Sequence, residues 1–227
     1  MKKIAALVIV ILMSLFFVNA VNEENTNVYK KMDTEKKIIA LTFDDGPHPK
    51  QTPAILDILK KYNIKATFFV VGENAEYYPE TMKRLCEEGH EIGNHTFSHV
   101  DIRKTKRNSL IDDIQKNHDI IKKYNNSEPT LLRPPGGVLN TDIKDIANSF
   151  GYNIILWNID TRDWSHESVD SIENNILKNI ENGSIILFHD YILNPTPTPE
   201  AINKIIPELQ KEGYTFVTVS ELINSNK

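Results

Sequence analysis

From Lys37 onward, short apolar runs alternate with stretches of helical pattern. Strand-like runs occur at 38–43, 66–71, 91–93, 130–132, 154–157, 184–188 and 216–219. Between most of them, apolar residues recur at helical spacing. Leu110, Ile114, Ile121 and Tyr124 make one stripe, and Ile172, Ile176 and Ile180 make another. The joints repeat as well. Glu88-Gly89-His90, Phe150-Gly151-Tyr152 and Glu212-Gly213-Tyr214 each place glycine after a helix and before a strand, and Tyr62-Asn63-Ile64 places asparagine there. Gly and Asn tolerate the left-handed conformation that closes a helix. Repeated joints of this kind predict successive βα units and a parallel sheet. About seven such strands predict an α/β fold, a barrel or barrel-like closed sheet.

A chain of 227 residues fits one large domain. Its first 36 residues stand apart. Lys2 and Lys3 precede an uncharged stretch at 4–18, followed by Asn19-Ala20 and the acidic Glu23-Glu24. This order gives a positive n-region, a short apolar h-region and a Val18-x-Ala20 cleavage pattern. The apolar stretch falls short of the roughly 20 residues of a membrane span. Residues 1–20 therefore read as a signal peptide or N-terminal anchor, 21–36 as an aperiodic linker, and 37–227 as the folded domain. The expected location is outside the cell: extracellular, cell-wall associated, or anchored on the outer face through an uncleaved first segment.

Without Lys2 and Lys3 the chain carries 24 basic and 31 acidic side chains, a formal charge of about −7. That excludes the basic patch a nucleic-acid partner requires. No obligate protein partner is legible. The lone Cys86 has no disulfide partner and sits in a helical pattern, where it reads as a small buried hydrophobe. Stability must then come from the core, which about 200 residues can supply.

Nearly every unusual polar cluster follows a strand immediately. The clusters are Asp44-Asp45, the run from Asn94 to His99, the run from Arg133 to Gly137, the run from Asp160 to Trp164, and His189-Asp190. In (β/α) barrels the carboxyl ends of the strands build the active site, so five clusters on one rim predict convergence. Adjacent side chains on a strand point to opposite faces. At a strand-to-loop break that geometry relaxes, and Asp44 and Asp45 can reach one cavity; a merely solvated Asp-Gly turn is the plainer alternative. His95 and His99, with three residues between them, can face one metal ion. With one carboxylate of the Asp pair they form a His₂-carboxylate set with a position left for water, the catalytic zinc pattern.

Five motifs carry a family resemblance. The runs Thr42 to Pro47, His95 to His99, Arg133 to Gly136, Asp160 to Trp164 and Leu187 to Asp190 match, in order, those of the polysaccharide deacetylases. These are the NodB-homology carbohydrate esterases, and the resemblance spans about residues 37–223. It implies a distorted (β/α) barrel and hydrolysis of N-acetyl groups on an aminosugar polymer. By the same resemblance Asp45, His95 and His99 hold one divalent metal ion, Zn²⁺ first, with Co²⁺ and other divalent ions also suited. Asp44 is implied as the general base, with Arg133 beside it, and His189 as the general acid, with Asp163 beside it. Pro135 and Gly136 are implied at the oxyanion contact, through the backbone N–H that follows Pro135. Trp164 and Leu187 resemble the apolar walls for the acetyl methyl. Many relatives carry tyrosine where this chain has Gly136, which bears on substrate preference and leaves the N–H in place.

The remaining candidates have structural readings. His90, just before a strand, is expected to be buried and hydrogen-bonded, and His118 to be solvated or packed within its helix. His48 and His166 lie near motifs and could serve substrate or loop. Trp157 reads as core, and the loop from Asn194 to Pro199 as a stiff spacer or a groove border. The expected partner is an N-acetylated glycan. Peptidoglycan leads because the export signal looks bacterial, with chitooligosaccharides and other exopolysaccharides after it. Two other classes compete: a catalytically idle wall-binding module on the same fold, and a cytoplasmic amidase or cyclic-imide hydrolase of similar fold.

Overall fold

The computed structural model describes residues 26–191 and 196–225. The segment 1–20, expected to be an export signal, and the first residues of the 194–199 loop lie outside the described residues. Among the described residues nine strands run in chain order: β1 (Val28–Tyr29), β2 (Ile38–Asp44), β3 (Thr67–Val70), β4 (Glu91–Asn94), β5 (Leu131–Leu132), β6 (Asn153–Ile155), β7 (Ile159–Asp160), β8 (Ile185–His189) and β9 (Thr215–Phe216). Among the described residues eight α-helices accompany them: α1 (Gln51–Lys61), α2 (Gly72–Tyr77), α3 (Pro79–Glu87), α4 (Arg107–Asn125), α5 (Thr141–Ser149), α6 (Val169–Asn179), α7 (Thr198–Lys211) and α8 (Val219–Asn224).

All pairings between these strands are parallel, in the order β1-β6-β5-β4-β3-β2-β8-β7, with β9 on the first residues of β2. The sheet is a curled, barrel-like α/β sheet, as the repeated joints predict. At those joints Gly89, Gly151, Gly213 and Asn63 all take positive φ, between 52° and 89°. Strands buried on both faces need no alternation, which is why β2 reads as a nearly continuous apolar run. Phe43 stacks between Phe68 and Phe188, and the apolar faces of α1, α3, α6 and α7 close over the same core.

Three details depart from the sequence reading. First, the region read as linker is laid onto the sheet. Val28 pairs with Ile154, Lys31 bridges Ser184, and the Met32 N–H donates to the Gly183 carbonyl at 2.9 Å. A two-residue strand is too short to show a period, so nothing in the pattern marked it. Second, the run at 154–157 is split: β6 stops at Ile155, and the chain resumes pairing at Ile159, now against β8. Third, the last run starts one residue early and turns helical at Val219, behind a Thr218–Glu221 capping box.

Register explains the convergence at the rim. Asp44 is the partner of His189 across the β2–β8 ladder, and Asn94 is the partner of Leu132 across β4–β5. The first pairing sets a carboxylate beside an imidazole. The second sets His95 beside Arg133.

Candidate active site

Asp44 ends β2 and is almost fully buried. The next residue, Asp45, has φ of 75°, a left-handed conformation rare outside glycine. That turn breaks the alternation of the strand and swings the second carboxylate into the same cavity as the first. The plain Asp-Gly solvation reading does not describe it. The cavity, of about 370 Å³, is lined by Asp44, Asp45, His95, His99, Leu187 and His189, with Gly136, Trp157, Asp160 and Trp164 on its sides.

Asp44 Oδ1 accepts a 2.7 Å hydrogen bond from Arg133 Nη1. Arg133 has no exposed surface, and three further acceptors hold it: Thr42 Oγ1 at 2.9 Å, the Ile155 carbonyl at 3.1 Å and the Leu156 carbonyl at 3.0 Å. The latter two come from the interruption between β6 and β7, where the ladder ends. Its guanidinium also lies 4.1 Å from the Phe69 ring centroid. A buried ion pair with one partner removed leaves a stranded charge, typically costing about 3–5 kcal/mol. Arg133→Met is accordingly expected to lower unfolding free energy by about 4 kcal/mol in a denaturant titration.

His95 Nδ1 lies 2.7 Å from the Arg133 carbonyl, which can only accept, so Nδ1 carries the hydrogen. Nε2 therefore faces the cavity. It lies 3.3 Å from Asp45 Oδ1 and 3.8 Å from Asp44 Oδ2, and His99 Nε2 is also 3.3 Å from Asp45 Oδ1. Burial works against the Asp45 charge, but the His95 hydrogen bond and the nearby imidazoles outweigh it and hold this carboxyl down at about 2. One ligand atom from each of Asp45, His95 and His99 falls within 4.8 Å of the others. Two imidazoles, that of His95 tied outward through Nδ1, and a carboxylate kept ionised fit a divalent cation that accepts mixed nitrogen and oxygen donors.

On the other side, His189 Nδ1 donates to Asp163 Oδ1 at 2.8 Å. Asp163 is fully buried, and its other oxygen accepts from the His189 backbone N–H at 2.8 Å and from Thr198 Oγ1 at 2.7 Å. Burial alone would pull His189 down; the Asp163 hydrogen bond and charge, with Asp44 and Asp45 behind, raise it to about 9.

Of the residues singled out for substrate contact, Gly136, Leu187 and Trp164 line the cavity, Trp164 with half its surface exposed. Pro135 does not. It is buried behind the wall, where its carbonyl and that of Pro134 accept the turn hydrogen bonds of Val138 and Gly137. Trp157, read as core, does pack against the core cluster of Phe69 and Ile155, but with β6 ended at Ile155 it is only half-buried and also lines the cavity. A Cβ on Gly137 would approach its ring to 2.9 Å, so the second glycine of the pair admits the indole. Asp160, a wall residue whose Oδ1 lies 3.4 Å from Trp164 Nε1, and Asp190 both sat in motifs without a role. Asp190 is buried, accepting from the Gly46 N–H at 3.0 Å and Thr52 Oγ1 at 2.5 Å; burial raises its carboxyl to about 7.

The other histidines lie outside this cavity. His90 is buried and accepts the Ala66 N–H, and burial lowers it to about 4. His118 is buried between the Tyr152 hydroxyl and Glu128. His48 Nδ1 accepts the Lys50 and Gln51 N–H groups at the start of α1. His166 ends the turn after Trp164 in a left-handed conformation. Cys86 is half-buried, and burial raises its thiol to about 11, which keeps it unreactive.

Fold and cavity together describe a hydrolase, with Asp44 and His189 at strand ends in one cavity with a set of side chains that could hold a cation. Known proteins agree. The polysaccharide deacetylase family profile matches residues 31–155. A peptidoglycan-N-acetylglucosamine deacetylase of Bacillus cereus is 43% identical over 195 residues, covering 85% of this chain and 91% of that one. A crystal structure of the Bc1960 peptidoglycan N-acetylglucosamine deacetylase superposes with a TM-score of 0.84 at 39% identity, covering 88% and 94% of the two chains. A cobalt-bound family 4 acetyl xylan esterase from Clostridium thermocellum superposes at 0.76 with 34% identity, covering 82% and 90%. The chain belongs to the polysaccharide deacetylase family.

Proposed function

We propose that this protein is an exported, metal-dependent N-deacetylase of N-acetylated cell-wall glycan, peptidoglycan above all. The observation that carries the reading is the pairing of Asp44 and His189 across one ladder, in one cavity with Asp45, His95 and His99. The similarity to peptidoglycan deacetylases over most of both chains supports the substrate class. Zn²⁺ is the proposed ion; the same donors suit Co²⁺. An idle wall-binding module would have no need to keep base, acid and ligand set in working contact.

A divalent cation held by Asp45 Oδ1, His95 Nε2 and His99 Nε2 supplies Lewis-acid polarisation of the acetyl oxygen and a more acidic water. The chain's own groups do the rest. Asp44 Oδ1 is committed to Arg133, so Oδ2, on the cation side, takes the proton from the attacking water. The new C–O bond forms at the acetyl carbon while its oxygen gains the negative charge, facing the Gly136 backbone. His189 has Nδ1 committed to Asp163, so Nε2 delivers a proton to the departing nitrogen. The C–N bond then breaks, giving acetate and a free amine. A neutral amine is a far better leaving group than an amide anion, which is why a charged imidazole is placed there. Leu187 and Trp164 bound the space for the methyl group.

The purified protein with added Zn²⁺ is expected to release acetate from peptidoglycan, with mass spectrometry of digested muropeptides locating the sugar that loses 42 Da, about the mass of one acetyl less a hydrogen. Absence of acetate from peptidoglycan, chitooligosaccharides and poly-N-acetylglucosamine alike would overturn the reading.

A further inference from the structure

The two loops that carry Asp45 and the histidines are strained, and neither can hold its shape alone. Asp45, Thr96 and His99 all have positive φ, at 75°, 66° and 51°. Non-glycine residues keep such conformations only where the surroundings over-determine them. The surroundings here are specific. On the histidine loop, the Phe97 N–H donates to Asp113 Oδ1 at 2.7 Å, the Ser98 N–H donates to the same oxygen at 3.2 Å, and Ser98 Oγ donates to Oδ2 at 2.6 Å. One carboxylate from α4 thus grips three donors between the two histidines. The carbonyls of Thr96 and Phe97 accept from the Gly72 and Glu73 N–H groups that open α2, at 3.1 and 2.9 Å. On the aspartate loop, the Gly46 carbonyl accepts from the Val71 N–H at 2.9 Å, and the Asp45 carbonyl accepts from Asn74 Nδ2 at 2.6 Å.

The segment 71–74 therefore spans both ligand-bearing loops, with Asp113 securing the far one. None of these residues touches the cavity. We propose that Asn74 and Asp113 are positioning residues that fix the separation of Asp45 from His95 and His99, and with it the affinity of the site for a divalent cation. Ser98 has its place explained in the same way: its hydroxyl and N–H are handles for Asp113. The proposal rests on the reading of Asp45, His95 and His99 as metal ligands. Outer groups that orient ligands commonly change metal affinity by about 10- to 100-fold when removed.

The experiment is a Zn²⁺ titration of the full chain against a chelating dye, with the melting temperature of each metal-free variant recorded alongside. His95→Ala is expected to abolish stoichiometric binding; if it does not, the ligand reading fails, and the positioning proposal with it. Given that control, Asn74→Ala and Asp113→Ala are each expected to weaken the Zn²⁺ dissociation constant about tenfold or more. Asp113→Asn, whose Oδ1 can still accept both N–H groups, should recover most of that loss. The metal-free melting temperatures of Asn74→Ala and Asp113→Asn should stay close to the unmodified protein. Unchanged Zn²⁺ affinity in Asn74→Ala and in the Asp113 variants would overturn the proposal. So would a loss of affinity in Asn74→Ala matched by a comparable fall in metal-free stability, because that is the mark of general destabilisation.

Discussion

Asp44→Asn is expected to lower kcat for acetate release by about 10³-fold while leaving Zn²⁺ affinity within a few-fold of the unmodified protein. The two readouts separate because the adjacent carboxylates have different partners. Asp45 Oδ1 faces both histidine Nε2 atoms at 3.3 Å. Asp44 Oδ1 is bound to Arg133, with only Oδ2 turned towards the cluster. An asparagine at 44 keeps an oxygen for Arg133 Nη1, so the buried guanidinium retains a partner. What it loses is a second carboxylate oxygen able to take a proton. Equal kcat in the two proteins would remove Asp44 as the base, and a collapse of Zn²⁺ binding would make it a ligand.

Asp163→Asn is expected to shift the alkaline limb of the pH–rate profile to lower pH and to cut activity at pH 8 by tenfold or more, an order-of-magnitude figure for a general acid. In the protein without metal, burial opposes the imidazolium of His189, and Asp163, followed by Asp44 and Asp45, raises it to about 9. A cation beside Asp45 offsets part of that pull, so the limb of the loaded enzyme falls at or below this value. Stability follows the same group. The folded value lies above the roughly 6.5 of an unperturbed imidazole. Its contribution is therefore present in full below that pH and is lost as pH rises through about 9. Asp163→Asn should flatten the fall in metal-free stability over this window. An unchanged limb together with an unchanged stability profile would show that Asp163 does not govern His189.

The mode of folding was legible because its signals are local. Helix stripes, left-handed glycine joints and apolar runs each occupy a few consecutive residues, and all four predicted junctions take positive φ. The strands β1 and β7 were not legible; their places are set by a neighbour more than a hundred residues away for β1 and by β8 for β7. Trp157 was only half legible for a related reason: it packs on the core and also lines the cavity. An aromatic residue at the end of an apolar run looks like core until the strand is seen to stop at Ile155, which frees two carbonyls for Arg133 and turns the indole towards the cavity.

The chemistry divides in the same way. The order of five polar clusters after strands determined which residue types were available, and the family resemblance assigned them roles. Sequence alone could not divide the labour between Asp44 and Asp45, which are chemically identical and adjacent. The tertiary structure gives them different environments: a left-handed turn aims Asp45 at two imidazoles, while the ladder to β8 sets Asp44 beside His189 and the buried Arg133 binds one of its oxygens. Nor did any pattern point to Asn74 or Asp113, whose partners are backbone groups of distant loops. Local sequence specifies side-chain chemistry and backbone preference. Distances between ligands depend on register and on contacts between remote segments, and only the folded chain decides those.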